Sequence, residues 1–183
     1  MPTKECMVLT IGHSTRSFDE LLALLQMHEV RQLVDVRTVP RSRRNPQFNR
    51  ETLGESLGPP GIRYVHEEAL GGLRKTYPDS INTGWRNDSF RGYADYMQTQ
   101  EFAEGMARLV ELARRHRTAI MCAEAVPWRC HRSLIADALV VRGCEVEHIL
   151  SGDRRMPHTL TDFAVVDGER IIYPAQRSGE LFG

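Results

Sequence analysis

Two thiols, a carboxylate, an imidazole and two guanidinium groups fall within eleven positions of this chain, Cys122–Ala123–Glu124–Ala125–Val126–Pro127–Trp128–Arg129–Cys130–His131–Arg132. The segment follows a short apolar run, Thr118 to Met121, and precedes a helical pattern from Ser133 to Arg142. A thiol at a strand end, ahead of a helix, faces the helix's positive end, which favours a thiolate. Cys122 is thus a candidate nucleophile. Glu124 is a candidate general acid or base if burial raises its pKa, and otherwise a cap or a salt-bridge partner of Arg129 or Arg132. His131 reads as a base, a phosphate donor or a helix-end hydrogen bonder. Cys130 reads as a site residue or as a buried small hydrophobe. Cys122, Glu124 and His131 form the candidate catalytic set.

A strand, a Cys loop and a helix are also the layout of protein phosphatases and sulfurtransferases, but the spacing here departs from theirs. The first arginine after Cys122 is Arg129, one residue late for the phosphatase pattern, and Trp128 stands in its place. A zinc site would need Cys122, Cys130, His131 and a distant histidine. Cys130 and His131 are adjacent, and the two cysteines lack the tight spacing of ordinary zinc ligands. No metal or other cofactor is expected. A Cys122–Cys130 disulfide would imply redox control.

Two other loops carry reactive groups. Gly12–His13–Ser14–Thr15–Arg16 follows the apolar run Val8–Ile11. Arg37 to Arg50 holds five arginines and no acid. It reads either as a solvated basic loop or as an anion site, since guanidinium forks suit phosphate and prolines stiffen the loop. Arg37, Arg43 and Arg132 are the expected anion holders, with His13 and Ser14 as hydrogen-bond donors. In Phe90–Arg91–Gly92–Tyr93–Ala94–Asp95–Tyr96–Met97, one helix face packs inward, and Tyr93 is a candidate cleft residue able to stack a base.

The elements that must position these groups read as α/β. A chain of 183 residues predicts one domain, 1–183, with a core over 8–150 and a hairpin and tail over 152–183. Short apolar runs are predicted strands: Val8–Ile11, Leu33–Val36, Ile62–Val65, Thr118–Met121 and Val146–Ile149. Helices are predicted after Ser17, whose pairing with Glu20 fits a capping box, and over Ser89–Gln98, Gln100–His116 and Ser133–Arg142. Glu67 to Asp88 reads as a long loop, Asp167–Gly168 as a hairpin turn, and the tail after Pro174 as loose. The expected fold is a Rossmann-like three-layer domain with a mainly parallel sheet of about five strands and a C-terminal β-hairpin. In such a sheet ligands sit beyond the carboxyl ends of the strands, so all three loops open on one edge.

Equal counts of 24 basic and 24 acidic residues argue against a generally basic nucleic-acid binder, though not against a local basic site. No apolar run suits a membrane span, and no signal peptide is read at the start. The expectation is a cytoplasmic protein whose four cysteines are reduced thiols.

Thr10–Ile11–Gly12–His13–Ser14, Asp35–Val36–Arg37 with Pro40 and Ser42–Arg43, Gly61–Ile62–Arg63–Tyr64, Leu70–Gly71–Gly72, Phe90 to Met97, and Cys122–Ala123–Glu124 with Pro127 and Cys130–His131–Arg132 run in the order of one family. Together they resemble the domain of unknown function 488 family. The resemblance implies a Rossmann-like α/β domain in a prokaryotic cytoplasmic protein, and no known reaction. From the residues, the leading expectation is an enzyme acting on a phosphate-bearing substrate, a nucleotide or nucleic acid. Its site would hold Cys122, Glu124, His131, His13, Ser14, Arg37, Arg43, Tyr93, Cys130 and Arg132. The alternatives are a non-catalytic nucleotide or nucleic-acid binding module and a thiol redox or sulfur-handling protein. No membrane partner is expected.

Overall fold

Residues 5–175 are described by a computed structural model of the chain. Five strands form a parallel set: β1 (Met7–Gly12), β2 (Gln32–Asp35), β3 (Arg63–His66), β4 (Thr118–Cys122) and β5 (Glu145–Ser151). A sixth, β6 (Arg154–Pro157), pairs antiparallel with β5, and the sheet order is β3-β2-β4-β1-β5-β6. β2 and β4 are buried along their whole length, as continuous runs covered on both faces should be. Alternation then divides the side chains. Leu9, Ile11, Leu33, Ala119 and Met121 pack under α1 (Phe18–Met27) and α2 (Arg50–Leu57). Val8, Val34, Val36, Ile120, Cys122 and Val146 pack under α3 (Asp88–Tyr96), α4 (Gln100–Arg115) and α5 (Arg132–Val141). The result is the expected three-layer α/β fold.

The helix starts follow their caps. Ser17 and Glu20 form the reciprocal capping box at α1. Asn87 and Thr99 cap α3 and α4 through their side chains. Gly143 ends α5 with a φ of 86°, a conformation that glycine adopts without penalty. The C-terminal hairpin is β7 (Val165–Asp167) with β8 (Arg170–Ile172), turned at Gly168. The sixth sheet strand was not expected. It is exposed throughout and carries Arg154, Arg155 and Pro157, so it has neither an apolar run nor an alternating pattern. The expectation of a loose tail falls largely on residues 176–183, outside the described range.

One expectation about the cysteines is corrected. Cys6 and Cys144 form a disulfide. The β1–β5 register pairs Met7 with Glu145, which sets the two residues just before them side by side. A sequence separation of 138 hides that neighbourhood. Cys122 and Cys130 are free. Among the described residues no helix is long and apolar enough to cross a membrane.

Candidate functional site

The chain leaves β1 and β2 toward the α1–α2 face, and leaves β4 toward α5 on the opposite face. Because β4 lies between β2 and β1, the connections part on both sides of its carboxyl end. Such a switch opens a crevice. A cleft of about 790 Å³ lies there, lined by residues of the loops after β1, β2 and β4, with Phe90 and Tyr93 of α3 on one wall. Eight of the ten candidate residues line it: His13, Ser14, Arg37, Tyr93, Cys122, Glu124, Cys130 and His131. Arg43 and Arg132 do not.

Cys122 is the last residue of β4, in register with Gly12 of β1, and is 1% exposed. The loop it opens is held against β1. His13 and Ser14 donate their backbone N–H groups to the Cys122 and Ala123 carbonyls at 2.9 and 3.0 Å. The approach is so close that a Cβ on Gly12 would meet the Glu124 carbonyl oxygen. Ser14 sits at a φ of 49°, a left-handed conformation that is strained for a non-glycine residue.

The thiols are paired. A hydrogen bond from Cys130 holds the Cys122 thiol below its ordinary pKa, helped by the charge of Arg132 and opposed by burial. The same bond, with burial, pushes Cys130 far up. The surroundings favour ionisation at Cys122, whose Sγ–H donates to the Glu124 carbonyl at 3.6 Å. Cys130 has one proton and two acceptors, the Cys122 sulfur and His131 Nδ1 at 3.4 Å. His131 Nε2 donates to the Val36 carbonyl at 2.8 Å, which leaves Nδ1 as a lone pair. Burial pulls His131 down to about 4, so the ring is neutral.

The three arginines expected to hold an anion lie in three different settings. Arg37 is buried and engaged with its own protein. Its Nε and Nη2 meet both oxygens of buried Asp35 at 2.9 and 2.7 Å, Nη2 also donates to the Phe48 carbonyl, and Nη1 contacts His13 Nε2 at 3.3 Å. Asp35 and Arg37 are two apart on extended chain, hence on the same side. Arg132 is fully buried in the first turn of α5, under the loop. Its Nη2 makes two long bonds of 3.4 Å to the Glu124 and Ala125 carbonyls, while Nε and Nη1 have no partner. It acts on Cys122 through its field. Arg43 is exposed, outside the cleft.

His13 is also internally committed. Nδ1 donates to the Ser14 carbonyl at 2.8 Å and Nε2 faces Arg37. Burial, with the charge of Arg37, lowers its pKa. It is a structural link between two loops and not a free donor. Tyr93 lines the cleft with its ring, since its hydroxyl donates to the Leu70 carbonyl at 2.8 Å. Glu124 is exposed at the mouth, not buried, and forms no ion pair with Arg129 or Arg132 among the described residues.

Three further arginines that are not among the expected site residues reach the cleft: Arg41, Arg44 and Arg129. All three are exposed and line the cleft, and none forms an ion pair or side-chain hydrogen bond among the described residues. Val39 and Leu73 add exposed apolar surface to the same rim. Arg41 and Arg44 lie within the basic loop already visible in sequence. What separates them from Arg37 is the absence of an acid two positions away.

The fold and the cleft define an α/β protein with a cysteine loop at the switch point of a parallel sheet. It belongs to the family described as Domain of unknown function DUF488, whose model matches residues 17–139. The match covers the loops after β2 and β4 and leaves out β1 with His13 and Ser14. No curated protein and no solved structure matches the chain.

Proposed function

We propose that the chain is an enzyme acting on a phosphate-bearing substrate, a nucleotide or nucleic acid, with Cys122 as the nucleophile. One observation carries this reading. An ionisable Cys122, lowered by Cys130 and underlain by a buried guanidinium, lies on the floor of a cleft whose rim holds three unpaired arginines. Arg41, Arg44 and Arg129 bind the phosphate groups. Glu124, free at the mouth, serves as acid–base group for the leaving or entering oxygen. Phe90 and the ring of Tyr93 wall the site where a base would lie. His131 acts behind the thiols.

The test is a thermal-shift screen of the reduced protein against phosphate, nucleotides and short oligonucleotides. Wild type is run beside Arg41→Ala/Arg44→Ala and Cys122→Ala. A ligand of the native state raises the melting temperature by mass action. The expected result is stabilisation by a phosphate compound that the double arginine variant loses and Cys122→Ala keeps, with turnover abolished in Cys122→Ala. Stabilisation with no turnover in wild type would assign the cleft to binding alone. No shift from any phosphate compound would overturn the reading.

A further inference from the structure

Cys122 and Cys130 are the free cysteines among the described residues, lie at opposite ends of one loop, and both border the cleft. The two thiols border the same cleft and lie near enough for each to shift the other's ionisation, with Cys122 Sγ 3.6 Å from the Glu124 carbonyl and Cys130 Sγ 3.4 Å from His131 Nδ1. A disulfide needs sulfurs about 2.05 Å apart, so forming one here takes rotation of both side chains and a shift of the loop between them. We propose that Cys122 and Cys130 are a peroxide-oxidised pair: hydrogen peroxide converts Cys122 to a sulfenic acid, and Cys130 resolves it to a disulfide across the loop that a dithiol reductant reopens. This inference does not depend on the substrate proposed for the cleft.

The surroundings assign the order of events. Cys122 is the better thiolate, and the thiolate is the species that peroxide oxidises. At 1% exposure its sulfur favours an oxidant as small as peroxide over a bulky disulfide. The Cys122 thiolate attacks one peroxide oxygen, the O–O bond breaks, and the departing hydroxide becomes water with the proton that Cys122 released on ionising. Cys122 is now neutral, so the negative charge that held the Cys130 proton is gone. His131 Nδ1, 3.4 Å from Cys130 Sγ, receives that proton. The Cys130 thiolate, favoured by the Arg132 charge, attacks Cys122 Sγ. The S–O bond breaks, and the hydroxide leaves as water with the proton from His131. The pair loses two electrons and the peroxide gains two. Oxidation removes the nucleophile from the floor of the cleft and ties down the loop bearing Arg129.

Tryptic mapping reads this directly on the wild-type chain. Cleavage after Arg117, Arg129 and Arg132 places Cys122 in peptide 118–129 and Cys130 in peptide 130–132. The protein is treated with hydrogen peroxide, alkylated while denatured, run on a non-reducing gel, and digested. The expected product is a monomer in which 118–129 and 130–132 are joined, and dithiothreitol separates them. In Cys130→Ser the sulfenic acid on Cys122 has no resolving thiol, so its trapping by dimedone rises several-fold. Unchanged free thiols, Cys122 carried to sulfinic acid with Cys130 untouched, or a linkage found only in covalent dimers would each overturn the proposal.

Discussion

At Arg132 a guanidinium is fully buried with Nε and Nη1 unpartnered, and no carboxylate pairs with it among the described residues. Orphaned buried donors cost about 1–3 kcal/mol each, so stability alone does not explain the residue. Its charge favours ionisation of the Cys122 thiol. Arg132→Met keeps the volume and removes the charge. The expected outcome is a melting temperature unchanged or raised, by roughly 1–2 kcal/mol of stability, together with a higher Cys122 pKa. The pH profile of iodoacetamide alkylation, followed by mass spectrometry of peptide 118–129, measures the second effect. Stability lost with the thiol pKa unmoved would make Arg132 a packing residue. The sequence showed Arg132 as a charge near the cysteines but not its depth. Depth follows from helix phase, because Arg132, Ile135, Ala136 and Leu139 share the inward face of α5. The Asp35–Arg37 pairing follows likewise from the alternation of extended chain, although the sequence reads Arg37 as an anion holder.

Between elements, two features govern how the cleft is held. The first is the contact of β1 with the Cys loop. A Cβ on Gly12 would clash with the Glu124 carbonyl oxygen, a backbone atom that can yield only if the loop moves. Gly12→Ala should cost about 1–3 kcal/mol or more, seen as a lower urea midpoint, and should shift the Cys122 alkylation profile, since the loop carries both thiols. The second is a hydrogen-bonded chain. Thr10 Oγ1 contacts His148 Nδ1 at 2.6 Å, His148 Nε2 contacts His158 Nδ1 at 2.8 Å, and His158 Nε2 contacts Asp137 at 2.8 Å. Tyr173 and Thr161 also donate to Asp137. This chain ties β1, β5 and α5 to the segment after β6. Burial, with the charges of His158 and Arg132, pulls His148 down to about 3. Burial pulls His131 to about 4. An unfolded histidine titrates near 6.5. Between those values the unfolded chain holds protons that the folded chain refuses, so stability is complete above pH 6.5 and is lost as the pH falls. Urea unfolding from pH 7.5 to 5.0 should show a slope of roughly 1 kcal/mol per pH unit for each such histidine below 6.5. A flat profile would mean that these rings are protonated in the fold. None of this chain was visible beforehand, because its members are scattered from Thr10 to Tyr173 and meet only through strand order. The parallel strands, by contrast, were legible as apolar runs, and α1 from its capping box.

Over the whole molecule, the chemistry and the covalent staple lie at opposite ends of one sheet. The cleft opens at the carboxyl ends of β1 and β4. The Cys6–Cys144 disulfide joins the starts of β1 and β5. It closes a chain segment with a sequence separation of 138, and a cross-link over so long a loop removes much entropy from the unfolded chain. Its stabilisation is about 2–5 kcal/mol. Both cysteines are buried, at 8% and 5% exposure, and alanine at either position leaves an apolar environment without an orphaned polar atom. Cys6→Ala/Cys144→Ala should therefore lower the urea unfolding free energy by that amount. The strand pairing itself should persist, since Glu145 still donates to the Cys6 backbone carbonyl. The alkylation profile of Cys122 should be unchanged, because its charge environment is built from Cys130, Arg132 and the loop backbone. Running the double variant with and without reductant separates the two thiol systems. Wild type should lose stability in reductant and the variant should not. A variant as stable as oxidised wild type would show that the β1–β5 pairing alone carries that end of the sheet. A variant whose Cys122 profile moves would show that strain at one edge of the sheet reaches the other along β1.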